Sequence, residues 1–368
     1  MRKAIAQILI VSILAVSLIG VFSNPAQAEF STTPAIAAGG DHSLALKQDG
    51  TVWAWGNNND GQLGDGTTER RYTPTQVPGL TDVVAIAAGY YHSLALRQDG
   101  TVWAWGDNSH GQLGDGGSQD RYTPAQVPGL TNVIAISAGR YHSLVLKQDG
   151  TVWGWGNNSA GELGDGRSAM TKRTPVQAQG LTNVIAIAAG YDRSYAIKQD
   201  GTVWGWGFAG LGDGKEQHSY VPIQIPALTD AIAISSECLA THAVKQDGTV
   251  WGWAIMNASG LVGDGTTEDR LTPVQLPGLI DIVTVSNKYT HALALKSDGT
   301  VWAWGSNGSG QLGDGTTSSK YAPIQVSGLT DVIAISVGKH HSLVLKQDGT
   351  VWGWGSNSYG QLGDGTTE

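Results

Sequence analysis

Histidine is the side chain most able to act as base, acid or metal ligand near neutral pH. Five of the nine in this chain, His42, His92, His142, His291 and His341, stand at one place in a recurring segment. Equivalent places in successive repeats are spread round an assembly and not gathered at a point, so neither a catalytic dyad nor a polyhistidine metal site is expected from them. Seven aspartates, Asp49, Asp99, Asp149, Asp200, Asp247, Asp298 and Asp348, each precede a glycine. A tight hairpin with positive φ at both central residues accounts for them without chemistry. Residues 57–66 hint at a calcium loop, but Gly56 and Leu63 fall where alternate ligands are needed. With no H-E-x-x-H, G-x-S-x-G, phosphate-binding loop or cysteine cluster, the expectation is no catalytic residue, no metal and no cofactor.

Recognition is the better prospect. The residues around those histidines change from copy to copy while their surroundings do not: Asp41-His42, Tyr90-Tyr91-His92, Arg140-Tyr141-His142, Tyr191-Asp192-Arg193, Tyr289-Thr290-His291 and Lys339-His340-His341. A constant frame carrying variable Tyr, Arg, His and Lys is what a binding surface requires, and loops free to drift are the simpler reading. A cation also stands three residues before a recurring proline, at Arg71, Arg121, Lys172, Arg270 and Lys320. These either form a basic ring or each pair with the Asp of a nearby Gly-Asp-Gly turn, the latter being the expectation.

The elements that position these residues are repeated about every fifty residues. All 14 tryptophans lie in seven pairs: Trp53/Trp55, Trp103/Trp105, Trp153/Trp155, Trp204/Trp206, Trp251/Trp253, Trp302/Trp304 and Trp352/Trp354. Strand alternation puts both indoles of a pair on one face and Val with Ala or Gly on the other. The indole face of one unit is therefore expected to pack on the small-residue face of its neighbour, a structural role for all fourteen. Each unit reads as four short strands, beginning with a proline-led one such as that at Pro74, then 83–88, 92–97 and 101–105. The proline-led strand occurs six times against seven for the others. Truncation at Glu368, or a first unit of three strands, accounts for the difference.

A period near fifty with strands in every unit points to an all-β propeller, one domain over residues 29–368. After the tryptophans come Gly61-Gln62-Leu63-Gly64-Asp65-Gly66 and its copies at 111–116, 161–166 and 310–315. These, with the preceding W-G-x-N, resemble the regulator of chromosome condensation repeat family over residues 35–368. The resemblance implies a seven-bladed β-propeller. Nucleotide exchange on a small GTPase is a remote family-level alternative. Photoreception, which in a plant relative uses tryptophan in a G-W-R-H-T motif, is not expected, since no tryptophan follows the corresponding glycine here. Two units depart from the pattern. Unit four shortens its loop to residues 207–214, and unit five reads Ser236-Glu237-Cys238-Leu239-Ala240; decayed packing is the simpler reading and a specialised patch the other.

Arg2 and Lys3, an apolar run over 4–22 and Ala26-Gln27-Ala28 form a secretory signal peptide over residues 1–28, with an uncleaved anchor as the alternative. The single cysteine allows no internal disulfide. The net charge of −9 becomes −11 when the two charges of Arg2 and Lys3 leave with the leader. An acidic body gives no general attraction to nucleic acid. These observations imply an exported, bacterial-type member of the family, secreted or at the cell surface. It is expected to be a monomer, with no membrane span after cleavage and no enzymatic activity. Its variable loop end is expected to bind an extracellular protein. A cell-surface or polysaccharide-binding module of a larger exported protein, with a glycan as partner, is the alternative.

Overall fold

The computed structural model describes residues 31–167, 170–237 and 240–368. The regular structure among them is entirely β: seven antiparallel sheets, six of four strands and one of three. In the first, Ala35–Ala38, His42–Leu46, Val52–Gly56 and Arg71–Gln76 follow each other outward. The innermost strands touch their neighbours all the way round, and Val332–Val337 of the seventh sheet lies against Ala35–Ala38 of the first. The ring is a seven-bladed β-propeller.

The proline-led strand is not the first of a unit. Arg71–Gln76 pairs with the tryptophan strand before it, with Trp53 opposite Gln76, Ala54 opposite Thr75 and Gly56 opposite Arg71. It is the outer strand of the blade just completed, and the chain then crosses to the innermost strand of the next. Among the described residues the blade with three strands is accordingly the seventh, Val332–Val337, His341–Lys346 and Val351–Gly355, whereas the first has four. Sequence order could not show this, because the strand follows one unit and precedes another at short range.

The hairpins differ from the expected form in one respect. Gly50 and Gly100 have φ of 76°, but the aspartates before them do not enter the left-handed region. Gly50 N–H donates to Lys47 O and Lys47 N–H to Thr51 O, a three-residue loop closed by a left-handed glycine. The Asp49 carboxylate instead accepts from the Thr51 backbone at 3.0 Å and hydroxyl at 2.6 Å. The same aspartate-to-threonine pair recurs at Asp99, Asp149, Asp200, Asp247, Asp298 and Asp348.

The tryptophans hold blade to blade, and the two of each pair do it differently. Trp105 is fully buried among Leu44, Leu46, Val52, Ala54 and Leu63 of the preceding blade, and its Nε1–H donates to Gln62 O of that blade at 2.9 Å. Trp155, Trp206 and Trp304 repeat this bond to Gln112, Glu162 and Leu261, and Trp55 carries it to Gln361 of the last blade. Removing such an indole costs on the order of 3–5 kcal/mol. Trp53 and most of its counterparts are half-buried nearer the rim, with Nε1–H on the threonine two residues back and a cation over the ring, as Lys47 at 3.8 Å from Trp53.

Trp352 corrects the expectation that all fourteen indoles pack between blades, whereas Trp253 and Trp354 do pack there but with altered surroundings. Trp253 is fully buried against blade four, but the loop of that blade is the short one at 207–214, and the indole Nε1–H reaches the Tyr195 hydroxyl at 3.4 Å in place of a backbone carbonyl. Tyr195 occupies the position that Leu44, Leu94 and Leu144 hold in the first three blades, so its ring fills the space the shorter loop leaves. Trp354 keeps the carbonyl bond, to Gln311 O at 2.8 Å, yet it is only partly buried, unlike Trp105 and Trp155. Trp352 beside it is 54% exposed and packs no interface. Both lie on the third strand of the three-stranded blade, where no fourth strand covers them among the described residues.

Candidate functional site

The connection from the innermost to the second strand and the long loop after the tryptophans emerge at the same end of the ring, where His110 of the second blade stacks on Tyr141 of the third at 4.3 Å. Because innermost strands surround the axis, the first of these connections converge there. The variable residues meet as a result. Tyr90 meets Tyr191 edge-on at 5.5 Å and Tyr289 at 6.4 Å, Tyr91 stacks on Tyr141 at 5.9 Å, and Arg140 lies over Tyr191 at 4.1 Å. Tyr289 in turn contacts His340 and carries Lys339 over its ring. Backbone bonds between blades run beneath them, Tyr90 N–H to Gly139 O and Arg140 N–H to Gly190 O. Asp41 and Asp192, both pushed up by burial and held back by Lys339 and Arg140 respectively, complete the group.

The histidines assigned to this rim on sequence do not belong to it. His42, His92, His142, His291 and His341 are buried to 1% exposure or less, and each reaches the next blade, His42 to Ser93, His92 to Ser143, His142 to Ser194, His291 to Ser342 and His341 to Ser43. Each serine hydroxyl already donates its single hydrogen to a backbone carbonyl, Ser93 to Gln62 O and Ser43 to Gln361 O. The imidazole therefore donates through Nε2–H, and Nδ1 is left the acceptor. Burial holds the last four of the five histidines at about 3 and His42 well below its ordinary value. They are a neutral inter-blade belt. Arg193 takes the histidine's place in blade four, buried, with Nε–H on Ala209 O at 2.8 Å. Tyr90, at 4% exposure, plugs the axis and does not line the rim. The cations three before the prolines form no basic ring: they pair with the Asp of the Gly-Asp-Gly turn, Arg71 with Asp65, Arg121 with Asp115, Lys172 with Asp165, Arg270 with Asp264 and Lys320 with Asp314.

Two axial residues were not placed by the sequence reading, which noted Glu237 only within the unit-five departure and did not single out Lys288. Gly39, Gly89, Gly139, Gly190 and Gly338 occupy one column, in which blades five and six have Glu237 and Lys288. A Cβ on Gly89 would lie 2.5 Å from His92 and 2.6 Å from Gly139 O, so a side chain in this column collides with the belt histidine. Blade five resolves this with Ala240 in the histidine's place. Blade six extends its innermost strand to Lys288, opposite His291, and turns at Tyr289 with φ 54°. Lys288 is buried and its ammonium donates to Ala38 O at 3.0 Å and Ala88 O at 2.8 Å, in blades one and two. Glu237 is buried near it, its pKa raised by burial against the opposing pull of the Lys288 charge. Burial lowers that of Lys288 while Glu237 raises it. An interrupted glycine column was the signal for both. Cys238 lies outside the described residues, as does the segment over residues 1–28 expected to be a signal peptide.

Beside the aromatic group a cleft of about 540 Å3 opens between the long loops of blades one and two, lined by Asp60, Asp107, Asp120, Tyr91 and Tyr141. Burial raises the Asp60 pKa, and Asp107 and Asp120 add to it. The cleft is acidic with an aromatic wall, suited to a cation that has an apolar stem. Among the described residues no group of three or more His, Cys, Asp or Glu is placed to hold a metal ion, and no helix is long and apolar enough to cross a membrane.

The family model described as the RCC1-like domain matches residues 21–237, more than half of the chain. The chain belongs to the RCC1-like family. Models of the regulator of chromosome condensation repeat match this RCC1-like ring further along, at 298–345 and at 282–311 and 332–361. Among curated relatives it is 45% identical over 47 residues to the mitochondrial RCC1 domain-containing protein RUG3 of Arabidopsis thaliana, and 48% identical over 46 residues to the human E3 ubiquitin-protein ligase HERC2. Those stretches cover 13% and 12% of this chain but 11% and 1% of the relatives. The fold is that of Prp20p from Saccharomyces cerevisiae, with a TM-score of 0.74 and 22% identity over 85% of this chain and 82% of that one. Human WBSCR16 has the same TM-score at 24% identity, over 85% and 86%.

Proposed function

We propose that this RCC1-like ring is an exported, non-enzymatic, monomeric binding protein whose loop end grips a basic segment of another, extracellular protein. The acidic cleft with Tyr91 and Tyr141 on one wall is the observation that carries this reading. A lysine or arginine entering it lays its stem along the wall formed by Tyr91 and Tyr141, where His110 and Arg140 already lie over the Tyr141 ring, and places its charge among Asp60, Asp107 and Asp120. Tyr91 and Tyr141 directly precede the buried belt histidines His92 and His142, which anchors the aromatic wall of the cleft and lessens the ordering needed on binding. The leader over residues 1–28 supports the extracellular setting.

The stacked pair of tyrosines also offers a surface to a sugar ring, and the experiment separates the two. Residues 29–368 are immobilised and exposed to secreted and envelope fractions, beside a Tyr91→Ala/Tyr141→Ala variant and an Asp107→Asn variant. A protein retained by the parent, lost from the tyrosine variant, weakened by Asp107→Asn and released by about 0.5 M salt supports the reading, since screening shortens the reach of the carboxylates. Retention of a glycan that resists salt supports the polysaccharide-binding alternative. Equal retention by parent and variants refutes both.

A further inference from the structure

Asp-Gly is the dipeptide most prone to rearrange on its own, because a glycine nitrogen has no side chain beside it to hinder attack on the neighbouring carboxyl carbon. This chain holds it twice in every unit, once in the hairpin before the tryptophan strand and once in the Gly-Asp-Gly turn. Unit one holds a third, Asp60-Gly61. Elsewhere the place of Asp60 is taken by His110, Ala160, Ser259, Ser309 and Tyr359.

The repeated copies are locked. In the hairpins one oxygen of Asp49 accepts from the Thr51 backbone at 3.0 Å and from its hydroxyl at 2.6 Å, and the other six match it. In the turns Asp65 accepts from the Thr67 backbone and hydroxyl, and Arg71 closes on its second oxygen at 2.6 Å. Asp115 and Asp165 lack the threonine but keep a backbone donor two residues on, an asparagine amide and a cation. Asp213 retains the backbone bond, from Lys215. Among the described residues no such lock holds the Asp60 carboxyl. Two places on stands Gln62, whose Oε1 accepts from the Asp60 N–H at 2.9 Å and whose amide is merely near the carboxyl.

These bonds decide the chemistry. Ring closure needs a carboxyl free to swing over the glycine nitrogen, and it needs the neutral acid, since a hydroxyl leaves far more readily than an oxide. The threonine denies both at Asp49: its hydroxyl and then its backbone pin the group and hold it below the usual carboxylate range. At Asp60 burial raises the pKa, and the charges of Asp107 and Asp120 raise it further. The nitrogens do not distinguish the sites, because Gly61 N–H donates to Asn58 O at 3.0 Å just as Gly50 N–H donates to Lys47 O.

We propose that Asp60-Gly61 is a modification site, where the chain cyclises spontaneously to a succinimide and reopens as isoaspartate. The Gly61 nitrogen bonds to the side-chain carboxyl carbon of Asp60, and the carboxyl hydroxyl departs with the amide hydrogen as one water. A water then returns at either ring carbonyl. Attack at the side-chain carbonyl restores aspartate. Attack at the main-chain carbonyl leaves the backbone running through the side-chain methylene, with a free carboxylate on Cα. No oxidant or reductant is needed. The extra backbone atom breaks the turn closed by Gly61 N–H on Asn58 O, and the carboxylate is drawn back from Asp107 and Asp120 across the cleft. One acidic wall is dismantled with time. That consequence rests on the cleft as the binding site, whereas the modification does not.

The tryptic peptide over residues 48–70 carries all three environments, Asp49, Asp60 and Asp65, so every molecule supplies its own controls. The full 368-residue chain is incubated for weeks in near-neutral buffer well below its melting temperature, then digested beside an unincubated sample, and isoaspartate is located by electron-transfer fragmentation. About tenfold more is expected at 60 than at 49 or 65, a ratio that one charge-assisted hydrogen bond supplies. Thr51→Ala, checked for folding by circular dichroism, should bring position 49 toward the level of 60. Asp60→Asn closes the same ring without needing a neutral acid, and should convert faster than the parent. Isoaspartate absent from position 60, equal amounts at the three positions, or an Asp60→Asn chain that stays unconverted overturns the proposal. Retention of a partner should fall as the modified fraction grows; retention that ignores it overturns the cleft reading and leaves the modification standing.

Discussion

His341 of the last blade and Ser43 of the first meet at 3.1 Å, buried, 298 residues apart in the chain. The same bond joins His42 to Ser93 and His92 to Ser143 between consecutive blades, but only His341 to Ser43 closes the circle. Ser43 also donates to Gln361 O and Trp55 Nε1–H shares that carbonyl, so one serine ties three long-range contacts together.

Ser43→Ala should therefore loosen closure. It leaves His341 Nε2–H without an acceptor, which costs about 1–3 kcal/mol. Ser93→Ala orphans His42 in the same way at a junction of consecutive blades. Urea unfolding followed by fluorescence should show similar losses for both, whereas exchange at residues 35–46 and 332–346 should rise for Ser43→Ala alone. Equal exchange at the closure in the two variants contradicts this account.

Acid should unfold the ring through its belt. Four belt histidines are held at about 3 against an ordinary value of 6.5, because burial disfavours the imidazolium. The folded pKa is depressed below the unfolded one, so the neutral form's stability is complete above about 6.5 and is lost as pH falls toward 3. In that window the unfolded chain binds more protons, and each histidine lowers stability by about 1.4 kcal/mol per pH unit. Urea midpoints at pH 7.5, 6, 5 and 4.5 should fall progressively, and a flat profile over that range would refute the assignment.

Glu162 is the odd member of a column that holds Gln62, Gln112, Gln311 and Gln361. It is fully buried, accepts from Asn157 Nδ2 at 2.6 Å and from the Ala160 backbone, and burial raises it to about 7. A raised acid contributes stability that is complete below its unfolded value near 4.5 and is lost as pH rises through about 7. Glu162→Gln should stabilise the protein by about 2 kcal/mol at pH 8 and by much less at pH 4.5. Melting temperatures of both forms at the two pH values decide it.

Lys288 spans the axis to the carbonyls of Ala38 and Ala88. Lys288→Met leaves both without a donor and removes the cation near buried Glu237, at a cost of about 3–5 kcal/mol. Adding Glu237→Gln should recover part of the loss, since the carboxylate then has no charge to desolvate. A double-mutant cycle in urea measures the recovery; simple additivity would show that the two groups do not interact.

Much of this was legible in the residues. Seven tryptophan pairs, alternating with small residues two apart, specify a strand with one bulky and one slender face, and only a closed ring lets every such face find its complement. The pairing of Arg71 with Asp65 and its four counterparts was likewise local, six or seven residues apart. The sequence could not say which blade owns the strand at Arg71–Gln76, because membership is decided by hydrogen bonding to Val52–Gly56 and not by order along the chain. For the same reason it could not tell the partly covered Trp354 from the sealed Trp253, whose local motifs match while their blades differ in strand number. Nor could it separate Tyr91 from His92. Both stand in the same variable stretch, but adjacent side chains take different directions, and only the ring fixes that one borders a cleft while the other is sealed against the next blade's serine. Glu237 was visible only as part of the unit-five departure, and Lys288 was not singled out at all. They become a buried pair solely because seven innermost strands converge on one axis, bringing residues 200 and more apart within reach of a single ammonium group.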